Sequence, residues 1–527
     1  MAPEAFTLPR YLKAAGQGIL SSLFAEEMES ATALYSNCGK RSYRELDSQA
    51  NRLTHAFRAA GLRPGDPVAL VCGNRPEFVE VYLAVLRSGL RLTPINWRLN
   101  PAEVVYILED CEAVALIAEV QFASPIAAAL NNDRMRLKLS IGAECADFAS
   151  YDKVLHEHSP LLPPATPPGY LMLYTSGTTG QPKGVIRETV DVPLPQWRDA
   201  VVTYDPNHDV SLCCGPAYHA APLVIDIIRS LCSRVPLVLM EHFDAKQLLA
   251  NIERYRVTHM HLVPTMFVRL LALPAEARQK YDLSSLKMVI HGGAPCPVPV
   301  KRAMIDWLGP ILAEYYAGTE GDGGIFIFSD EWLEKPGSVG RCPEGGVLIV
   351  DESGNRLDQG QVGKIYLKIS DEARISYHNA PGKTAELYLD GNDNFISLGD
   401  QGYMDEEGYL YLSGRTAELI ISGGVNVYPQ EVDNVILLHP EVADSCTIGV
   451  PHPEWGEEVK TVVQLRQSGQ AGEELAADII RFARSRLAHF KCPRSIEFVT
   501  DLPRTASGKV QRSRVRDRYR ISAFSEP

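Results

Sequence analysis

The chain lacks the features that build a membrane span, a disulfide scaffold or a nucleic-acid binder. Nowhere in its 527 residues is there an apolar run of about 18, the length a membrane helix needs. The opening "MAPEAFTLPRYLKAAG" lacks the basic-then-apolar order of a secretory leader, so a cytoplasmic location is expected. The 11 cysteines form no CxxC pair; only Cys213 and Cys214 are adjacent. That usage predicts reduced, mostly buried thiols and excludes a disulfide framework or a zinc site. Positive charge is in short supply: 52 Lys and Arg against 65 Asp and Glu leave a net charge of −13, which excludes non-specific nucleic-acid binding as the main role. Long repeats and low-complexity tracts are missing too. What is present, 45% hydrophobic and 22% charged residues, describes an ordinary globular chain. At ~100–200 residues per domain, it has room for two or more.

Helix and strand signals alternate early. "SYRELDSQANRLTHAFRAAG" opens on a capping box, Ser42 with Glu45, and carries Leu46, Ala50, Leu53, Ala56 and Phe57 at helical spacing. "PVALVCG" reads as a buried strand, "EFVEVYLAVLRSG" as a helix, "NPAEVVYILED" as a helix capped by Asn100, and "AVALIAE" as a strand. "GILSSLFAEEMESATAL" reads as an amphipathic helix facing a core. The alternation continues through "VPLVLM", "DAKQLLANIERYR", "THMHLVP" and "LKMVIHGGAP". It predicts sheets layered with helices, an α/β class. From about 337 to 412, short strands between Gly, Asp and Asn turns predict an antiparallel, barrel-like β subdomain. After Arg415 a small βα pattern of about 110 residues resumes, the size of a compact domain. The division is therefore 1–415, then 416–527, the second being a small α+β domain. The tail "RSRVRDRYR" reads as a solvated helix face, with docking to an acidic partner or anionic lipid as the other option.

"YTSGTTGQPKG", residues 174–184, lies between two extended stretches. Walker A is excluded, because it needs a helix after the loop and a different lysine spacing. The composition still suits phosphate. Gly177 and Gly180 let backbone amides approach an anion, Thr175, Ser176, Thr178 and Thr179 add hydroxyls, and Lys183 adds charge.

That string resembles the signature of the adenylate-forming superfamily, which includes acyl- and aryl-CoA synthetases, non-ribosomal adenylation domains and firefly-type luciferases. The resemblance runs from "SYREL" to "SGKVQR". "HGGAPC" and "EYYAGTEG" resemble the adenine turn and the aromatic-G-x-T-E motif. They imply Gly293, Ala294 and Pro295 beside adenine, Tyr316 stacked on it, Thr319 at the α-phosphate and Glu320 on Mg²⁺; an aromatic face suits a purine and a carboxylate a hard cation. "SLGDQGYMDEEGYLYLSGR" implies Asp400 on the ribose and Arg415 on ribose or phosphate, with Leu398 where the family has Ser or Thr. "LPRTASGKVQR" implies Lys509 as the catalytic lysine. "LIISGGVNVYPQEVD" and "PHPEWGEE" resemble the CoA-ligase version, which implies Gly423, Gly424 and Trp455 along the pantetheine tunnel. Lys491 and Arg494 are weaker candidates for the CoA phosphates. The family swings its C-terminal domain between two orientations; Ala417 replaces a common hinge Asp or Lys.

The resemblance implies ATP, Mg²⁺ and coenzyme A as cofactors and an AMP-forming acid–thiol ligase as the enzyme. "GPAYHAAPL" implies His219 as gate and carboxylate partner. Ala220, Ala221, Gly321, Gly323 and Gly324 leave room for the acid, and Val263, Met266 and Phe267 are apolar. The sequence offers no obvious buried aspartate for an amino group. A bulky or extended hydrophobic carboxylic acid is expected: medium- or long-chain fatty, cyclic or steroid-side-chain. Two alternatives stay open, a stand-alone adenylation enzyme loading a carrier protein and a catalytically silent nucleotide-binding scaffold. Peripheral membrane contact has no support in the residues, and the oligomeric state is open.

Overall fold

The computed structural model describes residues 30–129, 134–145, 147–175, 182–187, 203–321, 324–370, 374–415, 418–422, 425–452, 456–467, 471–487, 489–505 and 508–522. Two parallel-rich sheets form its centre. One has eight strands in the order Ile325–Phe328, Leu312–Tyr316, Met288–His291, His259–Leu262, Ser211–Cys213, Leu237–Leu239, Thr32–Ser36, Gly39–Ser42. Only its two outermost pairs are antiparallel. The other has six strands, all parallel: Ala149–Ser150, Leu137–Ile141, Ala115–Glu119, Pro67–Val71, Arg91–Pro94 and Tyr170–Leu171.

The helices Tyr43–Ala59 and Pro76–Ser88 share one core with strands of both sheets. The first starts on the expected Ser42–Glu45 capping box. The second is buried along its whole length, the state of a helix apolar on every face. The loop before it ties the sheets together. Asn74 Nδ2 donates to the carbonyls of Gly215 (2.7 Å) and Met240 (2.9 Å), and its Oδ1 accepts from the Ala217 amide at 2.8 Å.

A third sheet, antiparallel and seven-stranded, spans Ser338–Arg341 to Tyr409–Arg415. Ile375–Tyr377 leaves this region and pairs with Lys183–Arg187, which pairs in turn with Leu173–Thr175. A five-stranded sheet from Ile420–Ser422 to Ser495–Val499 carries the last part of the chain.

Two expectations change. The end of the "GILSSLFAEEMESATAL" stretch is a strand, Thr32–Ser36, whose register against Leu237–Leu239 overrides local helical spacing; residues 18–29 lie outside the described ones. The helix Arg512–Ser522 is not merely a solvated face. Arg512 pairs with Asp433 (2.8 Å) and Glu418 (2.9 Å), and Val515 is buried. The thiols are all free and only Cys38 is exposed. Among the described residues no helix is long and apolar enough to cross a membrane.

Asn74→Ala strands a buried amide and two buried carbonyls. A loss of about 3 kcal/mol in chemical denaturation is expected, with faster hydrogen exchange at the Ala217 amide.

Candidate active site

Parallel pairing brings the carboxyl ends of neighbouring strands to one edge of a sheet, where open α/β sheets hold ligands. Here four adjacent strands of the eight-stranded sheet end over a cavity of about 1480 Å³. Ser211–Cys213 leads to His219, Ala220 and Ala221; His259–Leu262 leads to Val263 and Met266. Met288–His291 leads to Gly293 and Ala294, and Leu312–Tyr316 leads to Gly318, Thr319 and Glu320. The antiparallel sheet adds Leu398 and Asp400, the hairpin adds Thr175 and Lys183, and the C-terminal part adds Arg504, Thr505 and Lys509.

Thus Thr175, Lys183, His219, Gly293, Ala294, Thr319, Glu320, Asp400 and Lys509 line a single cavity. Thr175 and Lys183 face each other across the hairpin that brackets the glycine-rich loop. Ser176, Gly177, Thr178, Thr179 and Gly180 lie outside the described residues, as do Gly423, Gly424, Trp455 and Ala417, and the side chain of Arg415. The Arg415 backbone pairs with Asp400 across two antiparallel strands.

Close approaches explain two glycines. A Cβ on Gly318 would sit 2.8 Å from Leu398, so Leu398 packs over the turn where a hydroxyl was expected. A Cβ on Gly508 would sit 2.4 Å from Thr265 Oγ1, and Gly508 has φ +87°. That contact docks the Lys509 loop against the start of the helix Pro264–Leu271. The loop is tightly bonded within itself: the Thr505 amide donates to the Lys509 carbonyl at 2.7 Å, and the Lys509 amide to Thr505 Oγ1 at 3.1 Å. Arg504, paired with Asp444, donates to the Gly508 carbonyl at 3.1 Å and braces it from outside.

Several expected positions need correction. Tyr316 and Pro295 are not among the cavity-lining residues. The Tyr316 ring packs with Ile325, Val339 and Leu410, and its hydroxyl donates to Asp400 Oδ2 at 2.9 Å. Side chains alternate along a strand, so Tyr315 faces the cavity instead and shares a 3.1 Å hydrogen bond with His261 Nε2. Phe267 is fully buried, edge-on to His291, in the core rather than the cavity wall. Lys491 is held by both carboxylate oxygens of Glu431, at 2.7 and 2.8 Å. A buried aspartate does exist: Asp226, on the π-helix Pro222–Ile228. Burial pushes its carboxyl well up, and it turns towards Cys213 while Val224 and Ile225 line the cavity.

Burial pushes the His219 pKa down to about 4, with the positive charge of Arg98 acting in the same direction. Its Nε2 is buried without a hydrogen-bond partner. The imidazole is therefore neutral near pH 7, able to accept or donate one hydrogen bond but not to offer a charge. Among the described residues no group of three or more acidic, histidine or cysteine side chains gathers to hold a metal unaided. Glu320 fits Mg²⁺ in the way that ion prefers, with one or two carboxylates completed by phosphate oxygens and water.

Residues 23–371 match the family of AMP-binding enzymes, and residues 431–509 match the AMP-binding enzyme C-terminal domain. Similar proteins include a feruloyl-CoA synthase of Amycolatopsis, 33% identical over 93% of this chain and 96% of that one. The fatty acid–[acyl-carrier-protein] ligase ScoC of Streptomyces coeruleorubidus is 32% identical over 91% of each chain. Among solved structures, the anthranilate CoA ligase AuaEII in complex with anthranoyl-AMP superposes with a TM-score of 0.85. It is 26% identical and covers 97% of this chain and 98% of its own.

Two outcomes follow from this geometry. Between pH 4 and 6.5 the unfolded chain binds a proton at His219 that the folded chain does not, so stability falls as pH falls through that window. His219→Asn should make the slope of unfolding free energy against pH shallower by up to one proton. Arg504→Ala should slow adenylate formation by about tenfold or more by loosening the Lys509 loop. Thioester formation from a supplied acyl-adenylate, assayed separately, should change far less.

Proposed function

We propose that the acid activated by this chain, which belongs to the AMP-binding enzyme family and is an AMP-forming ligase of the acyl-CoA synthetase type, is a hydrophobic one. One observation carries the proposal. The cavity that holds Asp400, Thr319, Glu320, Lys183 and Lys509 continues, without a break, into a wall of Tyr82, Leu86, Ile95, Leu171, Ile225 and Ile228. Burying apolar surface there contributes roughly 25 cal/mol per Å². No carboxylate lines the apolar part to receive an ammonium group, Asp226 being turned away. A medium- or long-chain fatty acid, or a cyclic or aromatic one, fits these walls. The feruloyl- and anthranilate-ligating relatives support the ring-bearing members of this class.

The chemistry asked of the residues is positioning and charge neutralisation. The acid's carboxylate attacks the α-phosphorus of ATP; the bond to the pyrophosphate oxygen breaks, and an acyl-adenylate and pyrophosphate result. In our assignment Asp400 accepts from the ribose hydroxyls, with Tyr316 holding the carboxylate through its hydroxyl. Thr319 donates to an α-phosphate oxygen. Lys183 faces the departing pyrophosphate. Lys509, held at the cavity by the docked loop, offsets the charge that grows on phosphorus and on the entering carboxylate. Mg²⁺, carried by Glu320, supplies neutralisation of the leaving pyrophosphate. Neutral His219 guards the carboxylate without competing for it as a cation. The thiol of coenzyme A then displaces AMP. Rotation of the part after residue 415 about 416–417 takes Lys509 away and brings the segment around 423–424 to the tunnel.

ScoC gives a specific reason to keep the carrier-protein acceptor as the second reading. An AMP-release screen over acids graded in length and ring content, with free coenzyme A or a phosphopantetheinyl carrier as acceptor, tests both. The expected result is AMP and pyrophosphate, highest kcat/KM for hydrophobic acids, and free coenzyme A sufficing. Preference for acetate or malonate, or ADP as product, overturns the proposal. Lys509→Ala should lower adenylate formation by about 10²–10³-fold while nucleotide binding, measured by calorimetry, persists.

A further inference from the structure

The phosphate-side lysine and the metal-side carboxylate come from segments about 137 residues apart, as the numbers of Lys183 and Glu320 (320 − 183 = 137) give directly. A third residue, from neither motif, touches both. Tyr377 donates its hydroxyl proton to Glu320 Oε1 at 3.0 Å. The Lys183 ammonium lies 4.8 Å from the centre of the same ring. The ring lines the cavity with both partners.

The backbone holds this arrangement from several sides. Ile375–Tyr377 is paired antiparallel with Lys183–Arg187, so that Val185 opposes Tyr377 and Arg187 opposes Ile375. The Tyr377 amide donates to Thr384 Oγ1 at 2.9 Å, and the His378 amide to the Gly184 carbonyl at 2.8 Å. From the same hairpin, Arg187 donates to the Gly321 carbonyl at 3.1 Å, one residue beyond Glu320. The three-stranded sheet therefore grips the turn 318–321 at two points, the Glu320 side chain and the Gly321 carbonyl. Tyr377 is the point that also carries the lysine.

We propose that Tyr377 is a positioning residue that sets Glu320 and Lys183 at a fixed separation for a metal-bound pyrophosphate. This rests on the adenylation reading above. The phenol occupies one carboxylate oxygen, Oε1, and so fixes the plane of the carboxylate; Oε2 is left to face a cation. The ring face attracts the lysine through its quadrupole and keeps the ammonium from collapsing onto Glu320, which would cancel both charges before a nucleotide arrives. Removing the hydroxyl alone frees the carboxylate to rotate. Removing the whole ring also lets Lys183 and Glu320 pair directly.

The test compares Tyr377→Phe and Tyr377→Leu with the unaltered chain. Mn²⁺ serves as the probe, its binding read by electron paramagnetic resonance in the presence of α,β-methylene-ATP. No acid is needed, so the result is read even if the substrate proposal fails. Tyr377→Phe should weaken Mn²⁺ binding by about tenfold, the scale of one hydrogen bond to a charged group. Metal-free nucleotide binding should stay within about twofold. Tyr377→Leu should weaken both. In pyrophosphate exchange, Tyr377→Phe should raise the Mg²⁺ concentration for half-maximal rate, and added Mg²⁺ should recover the loss. Unchanged Mn²⁺ affinity in Tyr377→Phe overturns the proposal. So does an equal loss of Mn²⁺ and metal-free nucleotide binding, which would mean that the phenol only supports the local fold.

Discussion

The parallel register of four neighbouring strands is the constraint on which the site depends. Each parallel strand must leave the sheet at its carboxyl end and return through a crossover, so its exit loop lies beside those of its neighbours. The loops at 214–221, 263–266, 292–295 and 317–321 are therefore gathered by backbone hydrogen bonding before any ligand contributes. A buried pair fixes the helix that follows the adenine turn. Lys301 Nζ meets Glu314 at 2.6 Å and lies 4.7 Å from the Trp332 ring centre, tying Val298–Leu308 to Leu312–Tyr316. Such a pair adds little net stability, since burial disfavours both charges, but it admits only one register between helix and strand.

Upon that frame the polar and apolar demands of the reaction are separated by element. Charged groups arrive on loops and on the antiparallel and C-terminal sheets, where water can reach them in the absence of nucleotide. The apolar wall is built from the buried helix Pro76–Ser88 and the π-helix Pro222–Ile228. The extra residue per turn of a π-helix breaks the usual alignment of side chains. Here Asp226 goes to the sheet while Val224, Ile225 and Ile228 stay at the cavity. His219 stands at the start of this segment and is kept neutral by the same burial that makes the wall apolar.

Local signals read well from the sequence because they are local. The capping boxes at Ser42 and Asn100 and the strand–loop–strand nature of 174–184 each depend on neighbours within a few residues, and each is present. The motifs that resemble the family located Asp400, Thr319, Glu320 and Lys509, which share the cavity. What could not be read depends on long-range pairing. Nothing near Tyr377 announces that Ile375–Tyr377 will add to a hairpin almost 190 residues earlier, so its contact with Glu320 was invisible. Asn74 and Arg504 are of the same kind, a turn asparagine and a surface-type arginine until the fold supplies their partners. The reversal of Tyr315 and Tyr316 follows from strand facing, which an aromatic pair in sequence does not specify. The Thr32–Ser36 strand was hidden because its partner, Leu237–Leu239, lies some 200 residues away.

The C-terminal part shows how the missing hinge charge is compensated. Ala417 has no side chain with which to form different pairs in two orientations. The next residue, Glu418, is bonded by Arg512, which also meets Asp433 Oδ2 and the Thr447 carbonyl. Asp433 in turn accepts from the Thr447 amide and hydroxyl, and Thr447 shares a hydrogen bond with Thr461. Arg512 lies three residues beyond Lys509, so one guanidinium joins the end of the linker, the sheet of the small domain and the root of the catalytic loop. Its pKa is raised by Asp433 and its other anionic neighbours against the cost of burial, so it keeps its charge throughout. A linker residue clamped in this way moves with the small domain as one body. The torsional freedom that a rotation needs is then confined to 416–417, where a small alanine opposes it least.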